Sequence, residues 1–473
     1  MKHSKNHFFA AFLTFVFSIG TFYAFEMILP NRLFAEIKAS GDNIVVDSLA
    51  ILAMAEEAEA IAPLVVAIAP LVETIAPVAP AASVAKAVPV AQATQAPEVV
   101  ETSNTNPLNR FFAKLLALEK NKKGTVRIAY FGDSMIESDL MVQDIRRSYQ
   151  NKYGGHGKGF VMLSNVHKPV DATVRYEYSP QWITHTFLKT PPVPVGVSGY
   201  VSVAKNNMPT WTRYKKGSSS LVNPVLFYGQ SANDSATITV IADGDTSILE
   251  DLQIRLLNKR QLTSSSPKEL MLQFNNVGST PFYGVDFSGS SGVYIDNFPM
   301  RSSSGLPLST FDVELMNAFQ QELKYDLIIL QFGLNVLNTN SKAYGWYTTR
   351  MTNAVEHLKA CFPGVDVLVI SSPDRATKYG TEMETDSSLV SLLRAQERYA
   401  KNANAGFISL FRLMGGAGSM IKWADEGMAA QDYAHFTAGG ARKAAGLIFG
   451  QMERDFERFK KQNVSSKSEG VLE

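Results

Sequence analysis

A serine, a histidine and an aspartate can together attack an ester carbonyl if the histidine takes the serine proton and the aspartate fixes the histidine tautomer. Ser134 has a setting for the first role: Gly132-Asp133-Ser134 follows the apolar run Val126-Arg127-Ile128-Ala129-Tyr130-Phe131 and precedes a helical pattern. A strand-to-helix turn lets a hydroxyl stand clear of a sheet while its own N–H faces a ligand. An N-capping serine is the plain alternative for such a position. Asp432-Tyr433-Ala434-His435 offers a base and an orienting acid three residues apart, close enough for one loop to aim both at one point. Beyond the N-terminal tip, His156, His167, His185 and His357 have no equally placed acid partner. Gly333-Leu334-Asn335 ends the apolar run at 326–331, and a side-chain amide there can donate to a developing oxyanion. A helix cap is the competing role for Asn335.

These residues need a scaffold, and the chain's periodicity supplies one. Short apolar runs at 126–131 and 326–331 read as buried strands, the first apolar enough to be covered on both faces, and those at 365–371 and 406–411 read as further strands. Between and around them lie helical patterns, beginning near Pro107 with Phe111, Phe112, Leu115, Leu116 and Leu118. A pattern with Met141, Ile145, Tyr149 and Tyr153 on one face follows Ser134, and others cover 351–360, 389–401 and 439–459. Alternation of this kind predicts a parallel sheet with helices on both faces, a three-layer α/β/α fold. Ser134 and Asn335 then fall at carboxyl ends of strands, where ligands gather in open α/β sheets.

Residues 199–297 break the rhythm with runs rich in Val, Ile, Thr and aromatics, at 225–228, 236–242, 270–274 and 292–295, punctuated by Gly, Asn, Asp and Ser. That pattern predicts a small antiparallel β-sandwich inserted between two parts of the α/β domain, 107–198 and 298–461. As a separable module, it is expected to be replaceable over 199–295 by a short linker without loss of small-ester chemistry. Its Tyr200, Trp211, Phe227 and Tyr228 suit either stacking on sugar faces or the module's own core.

Before the α/β domain, residues 1–30 carry Lys2, His3, Lys5 and His7, an apolar run at 8–25 and then Glu26. This reads as a transmembrane signal anchor with its start in the cytoplasm and the rest outside; a cleaved signal peptide is the rival. Residues 31–106 become rich in Ala, Val and Pro, with a seven-residue near-repeat: Ile61-Ala62-Pro63-Leu64-Val65, Ile68-Ala69-Pro70-Leu71-Val72, Ile75-Ala76-Pro77-Val78. Prolines that frequent argue against a second spanning helix and for an extended tether, whose partner the sequence does not name. Residues 462–473 form a polar tail.

Composition narrows the function further. The 473-residue chain has a net charge of +1 and no basic stripe, so nucleic acid is not an expected partner. Its single cysteine, Cys361, excludes an intrachain disulfide and a cysteine-built metal site, and no metal or organic cofactor is expected.

With Gly132-Asp133-Ser134, Gly333-Leu334-Asn335 and Asp432-Tyr433-Ala434-His435 in this order, the chain resembles the SGNH (GDSL-like) hydrolase superfamily. Met135 stands where that pattern commonly has leucine, and Val336 where it commonly has aspartate. Within the superfamily the chain is most similar to bacterial peptidoglycan O-acetylesterases that carry an inserted carbohydrate-module-like β domain. Tyr153-Gly154-Gly155-His156-Gly157-Lys158-Gly159-Phe160 and the approach from Met414-Gly415-Gly416 to Trp423 share in that likeness. The resemblance implies a Ser134, His435, Asp432 triad and an oxyanion hole made by the N–H groups of Ser134 and a second-block glycine with the Asn335 amide. Gly305 is the candidate for that glycine, with Gly196 or Gly199 as alternatives. It implies a serine esterase acting on O-acetyl groups of an envelope glycan. An O-acetyltransferase with a sugar hydroxyl as acceptor, and a glycan-binding protein on an inactive hydrolase scaffold, are the other readings.

Overall fold

The computed structural model describes residues 49–50, 106–166, 173–231, 233–338 and 342–469, with side chains to residue 462. The expected anchor at 8–25 and nearly all of the tether lie outside the described residues. Among the described residues no helix is long and apolar enough to cross a membrane.

The chain runs through α1 (Asn109–Asn121), β1 (Thr125–Gly132), a 3-10 turn (Ser134–Asp139) and α2 (Val142–Tyr153). A run of strands follows: β2 (Gly159–Val161), β3 (Val174–Tyr178), β4 (Trp182–Thr186), β5 (Tyr200–Ala204), β6 (Thr210–Lys216) and β7 (Val225–Tyr228), then β8 (Thr237–Ala242), β9 (Asp245–Leu249), β10 (Asn258–Gln261), β11 (Glu269–Asn275) and β12 (Phe282–Phe287). Next come β13 (Gly292–Pro299), α3 (Val313–Leu323), β14 (Leu327–Gln331), α4 (Gly345–Cys361) and β15 (Asp366–Ile370). A hairpin, β16 (Ala376–Tyr379) and β17 (Glu382–Thr385), precedes α5 (Leu389–Asn402), β18 (Gly406–Ile408), α6 (Leu410–Met414), α7 (Ser419–Asp425) and α8 (Ala438–Glu469).

The parallel sheet has the order β13-β1-β14-β15-β18. Its central strands are buried along their length because helices cover both faces. Strand periodicity sorts the side chains: Phe131, Leu330 and Val369 face one way, toward Phe319 of α3, Met351 of α4 and Leu392 of α5. Tyr130, Ile329 and Leu368 face the other, toward Phe112 of α1, Ile145 of α2 and Ile448 of α8. Each such side chain, fully buried, contributes roughly 1.5–3 kcal/mol. Ser134, beyond β1, and Asn335, beyond β14, therefore share the carboxyl edge.

Two antiparallel sheets, β10-β7-β12-β5-β4 with β2 beside β12, and β3-β6-β11-β8-β9, pack face to face. Alternating burial along β6 and β11 sends Tyr214, Leu270, Leu272 and Phe274 into the space between them.

The boundaries differ from the 199–297 expected. The antiparallel strands begin at Gly159 and end at Phe287, and Gly292–Pro299 is the edge strand of the parallel sheet, in register with β1 from Thr125↔Gly292 to Gly132↔Pro299. A short apolar run between turn residues has the same period in either kind of sheet, so the pattern could not assign it. The antiparallel sheets also share their core with the α/β part, and every residue of β12 is buried. One face of its sheet meets the second sheet, while Phe160, Phe227 and Tyr283 join the core around Phe319 of α3. A buried ionic knot ties the same junction, with Arg127 of β1 reaching Asp296 of β13 at 2.8 Å and Asp286 of β12 at 2.7 Å. The Tyr325 hydroxyl donates to Asp296 at 2.5 Å.

Candidate active site

Gly132 brings β1 so close to β14 that a Cβ there would lie 3.0 Å from the Gln331 carbonyl oxygen. The Asp133 N–H then donates to that oxygen at 3.3 Å, and the chain turns. The Asp133 carboxylate accepts from the Met135 N–H at 3.0 Å and opens the 3-10 turn that starts at Ser134. No continuous helix follows, contrary to the simplest reading of the pattern. Glu137 and Ser138 leave helical geometry, Ser138, Asp139 and Met141 take positive φ, and α2 begins only at Val142.

Asp432 and His435 come from the loop before α8. The Asp432 Oδ1 accepts from the N–H groups of Ala434 and His435, both at 3.0 Å, while Tyr433 between them takes a φ of 53°. The Ala376 N–H, at the start of the β16–β17 hairpin, donates to the Tyr433 carbonyl, and Phe436 packs on Trp423 of α7. So held, His435 directs Nδ1 to Asp432 Oδ2 at 2.7 Å and Nε2 to Ser134 Oγ at 3.0 Å. A carboxylate only accepts, so Nδ1 carries the proton and Nε2 is left to accept the serine hydroxyl's hydrogen. The three residues singled out in the sequence are thus brought into one hydrogen-bonded line.

The electrostatics suit proton transfer. The hydrogen bond to Asp432 raises the His435 pKa above its ordinary value, with burial opposing and the Asp133 charge adding to the rise. Partial burial pushes the Asp432 carboxyl up, yet hydrogen bonds from the His435 side chain and from the backbone outweigh it and hold the carboxyl at about 2. Asp133, enclosed beneath the serine, is pushed up by burial to about 6 against the pull of the Met135 N–H and His435. His435 and Asp432 keep 48% and 45% of their side-chain surface exposed, which makes the site an open edge and not a closed pocket.

Asn335 lies at this edge with its amide engaged twice: Nδ2 donates to Asp133 Oδ2 at 3.2 Å and to the Ser303 carbonyl at 3.1 Å. Gly305 follows Ser303 in a turn with a φ of 90°, and its N–H donates to Ser303 Oγ at 3.1 Å. A donor role toward an oxyanion requires each of them to share or release one of these bonds. Gly196 and Gly199 close a turn between β4 and β5, where added Cβ atoms would strike Tyr283 and Phe187. Sequence reasoning missed Asp133 as the buried acceptor beneath Asn335, although it stands within the Gly132-Asp133-Ser134 motif. It also missed Arg301, which pairs with Glu137 at 3.0 Å and acts electrostatically on His435. No periodic signal marks an arginine in a loop.

Of the aromatic residues considered for sugar stacking, Tyr200, Phe227 and Tyr228 are buried. Trp211 stays half-buried on β6, with the Arg213 guanidinium 5.8 Å from its ring centre. Among the described residues no group of three or more His, Cys, Asp or Glu is placed to hold a metal ion.

No family model and no curated protein matches the chain. Among solved structures it resembles a peptidoglycan O-acetylesterase at 21% identity and a TM-score of 0.62, over 74% of this chain and 96% of that one. A family two carbohydrate esterase from Cellvibrio japonicus matches at 10% identity and a TM-score of 0.26, over 60% and 98% of the two chains. A salicylyl acyltransferase from a tetracycline biosynthetic pathway matches at 12% and 0.28, over 61% and 96%. The resemblance read from the sequence therefore holds for the fold: the chain has the mixed α/β architecture, with its parallel sheet, of that peptidoglycan O-acetylesterase.

Proposed function

We propose that the chain is a serine esterase that removes O-acetyl groups from an envelope glycan such as peptidoglycan. The hydrogen-bonded line from Asp432 through His435 to Ser134, at 2.7 and 3.0 Å on the carboxyl edge of a parallel sheet, carries this reading. Ser134 Oγ attacks the acetyl carbonyl as His435 Nε2 takes its proton, and the paired Asp432 stabilises the imidazolium. Nε2 returns that proton to the departing sugar oxygen, leaving an acetyl-serine. Water, deprotonated by the same nitrogen, then attacks the acetyl carbon; the bond to Ser134 Oγ breaks, Nε2 gives its proton back to that oxygen, and acetate leaves. The Ser134 N–H, the Asn335 amide and the Gly305 N–H are the donors for the tetrahedral oxyanion. An open edge with half-exposed triad groups suits an ester on a polymer, which a closed pocket would not admit.

The run at 8–25 serves, in this reading, as an uncleaved anchor in the inner membrane, and 31–106 as a tether that carries the α/β domain into the periplasm. The paired antiparallel sheets act as a glycan-facing part. Protease added to spheroplasts should digest the domain and leave a small membrane-embedded fragment; a soluble product lacking the first few dozen residues would identify a signal peptide instead.

The chemical test is acetate release from O-acetylated peptidoglycan, with and without an acceptor sugar, by the wild type and by Ser134→Ala. Release that falls to background in Ser134→Ala is expected. Acetyl transfer to the sugar in preference to water would make the chain a transferase, and undiminished release by Ser134→Ala would overturn the assignment.

A further inference from the structure

The stretch Tyr153–Phe160, prominent in the sequence, contributes nothing to the triad directly, yet its Lys158 reaches the turn that carries Ser134. That turn is irregular. Ser138, Asp139 and Met141 have φ values of 58°, 62° and 63°, in the left-handed region that side chains other than glycine rarely adopt. Local preference does not hold such a turn; its surroundings must.

The holding point is the Asp139 carboxylate, whose side chain is fully enclosed. Arg146 of α2 grips it with Nη1 at 2.7 Å and Nη2 at 2.9 Å, and passes Nε to the Ile295 carbonyl of β13 at 2.8 Å. The Thr173 hydroxyl donates to Asp139 at 2.7 Å, and the Lys158 ammonium lies 3.6 Å away. Lys158 immediately precedes β2, which belongs to one antiparallel sheet, and Thr173 immediately precedes β3, which belongs to the other. Both sheets thus begin at a single carboxylate, five residues beyond the serine. From the other side, the Asn297 amide donates to the Ile136 carbonyl at 3.0 Å and pins the same turn to β13.

We propose that Lys158 and Thr173 are positioning residues: by fixing Asp139 they set the turn that presents Ser134 to His435, so the antiparallel sheets act on the triad through that carboxylate. The kinetic part rests on the esterase reading, whereas the structural part does not. A purely structural ion cluster would stabilise the whole fold without singling out this turn.

The test uses Lys158→Met, Lys158→Arg and Thr173→Val in the full chain, with two readouts. In amide hydrogen exchange, Lys158→Met and Thr173→Val should speed exchange across residues 134–141, with the rest of the chain unchanged. On p-nitrophenyl acetate, Lys158→Met should lower kcat about tenfold with KM within about twofold, the scale of a slightly misplaced nucleophile, and Lys158→Arg should restore at least half of the loss. Should Lys158→Met fail to fold, the near-isosteric Thr173→Val, expected to lower kcat by a smaller factor, carries the test. Exchange that stays unchanged in the turn, or rises uniformly along the chain with a matching fall in melting temperature, would overturn the proposal. If the wild type releases no acetate while exchange still rises only in the turn, the positioning role stands and the esterase reading falls.

Discussion

At the residue scale, the proposed mechanism needs a neutral His435 to take the serine proton, so turnover should fall as pH drops through its pKa. Because the Asp432 hydrogen bond raises that pKa, the acid limb of kcat/KM should lie above the ordinary histidine value of about 6.5. Asp432 itself, held at about 2, adds no second limb in the working range. Asp432→Asn removes the charge that favours the imidazolium, so the limb should move to lower pH. The plateau should fall by roughly 10²–10⁴-fold, because the transition-state imidazolium loses its support. A limb that stays in place would show that Asp432 does not act on His435. Asn335 bonds both Asp133 and Ser303, which predicts a mixed effect for Asn335→Ala. Loss of an oxyanion donor lowers kcat by about a hundredfold. Leaving the enclosed Asp133 with one partner fewer costs about 1–3 kcal/mol, visible in the melting temperature. A melting temperature that falls with kcat unchanged would make Asn335 a brace alone.

At the element scale, the central sheet was legible because strands covered on both faces are uninterrupted apolar runs, as in β14 and β15. The meeting of Ser134, His435 and Asp432 was legible for a related reason: these residues sit where such runs stop, or within one short loop. Three features were not legible. β13 looks in sequence like its antiparallel neighbours, and the β16–β17 hairpin is a short, largely exposed pair with no buried face to set a pattern. The turn after Ser134 takes its shape from Asp139's distant partners, Lys158 and Thr173, and no local propensity encodes that. Gly159 shows how tightly these elements meet. It has a φ of +87°, and a Cβ there would lie 1.9 Å from Asp296 Oδ1, within the knot that Arg127 and Tyr325 complete. Gly159→Ala must therefore displace a buried carboxylate as well as strain the backbone. A destabilisation of about 3–5 kcal/mol is expected in chemical denaturation, the range for breaking a buried ion pair. A loss below about 1 kcal/mol, the scale of an unstrained surface change, would show that the knot yields freely.

At the scale of the whole molecule, the question is whether the antiparallel sheets are an accessory or a part of the α/β body. Replacing residues 199–295 with a Gly/Ser linker would remove Phe227 and Tyr283 from the core around Phe319. It would also take Asp286 from Arg127 and cut the first residues of β13 from the edge of the parallel sheet. Each large side chain lost from the core costs roughly 1.5–3 kcal/mol, and an uncompensated buried charge about 3–5 kcal/mol. A domain is stable by only about 5–15 kcal/mol in total. The shortened chain should therefore fail to fold cooperatively and lose activity on a small aryl acetate and on polymeric glycan alike, as circular dichroism melting and acetate release would report together. A soluble, cooperatively melting product with wild-type turnover of the aryl acetate would show that the α/β body is self-sufficient. The narrower replacement Trp211→Ala is the proper probe of glycan contact, because that ring is only half-buried and lies outside the shared core. It should leave melting and aryl-acetate turnover unchanged while raising KM on polymeric glycan severalfold, since remote contacts contribute binding energy only to substrates long enough to reach them.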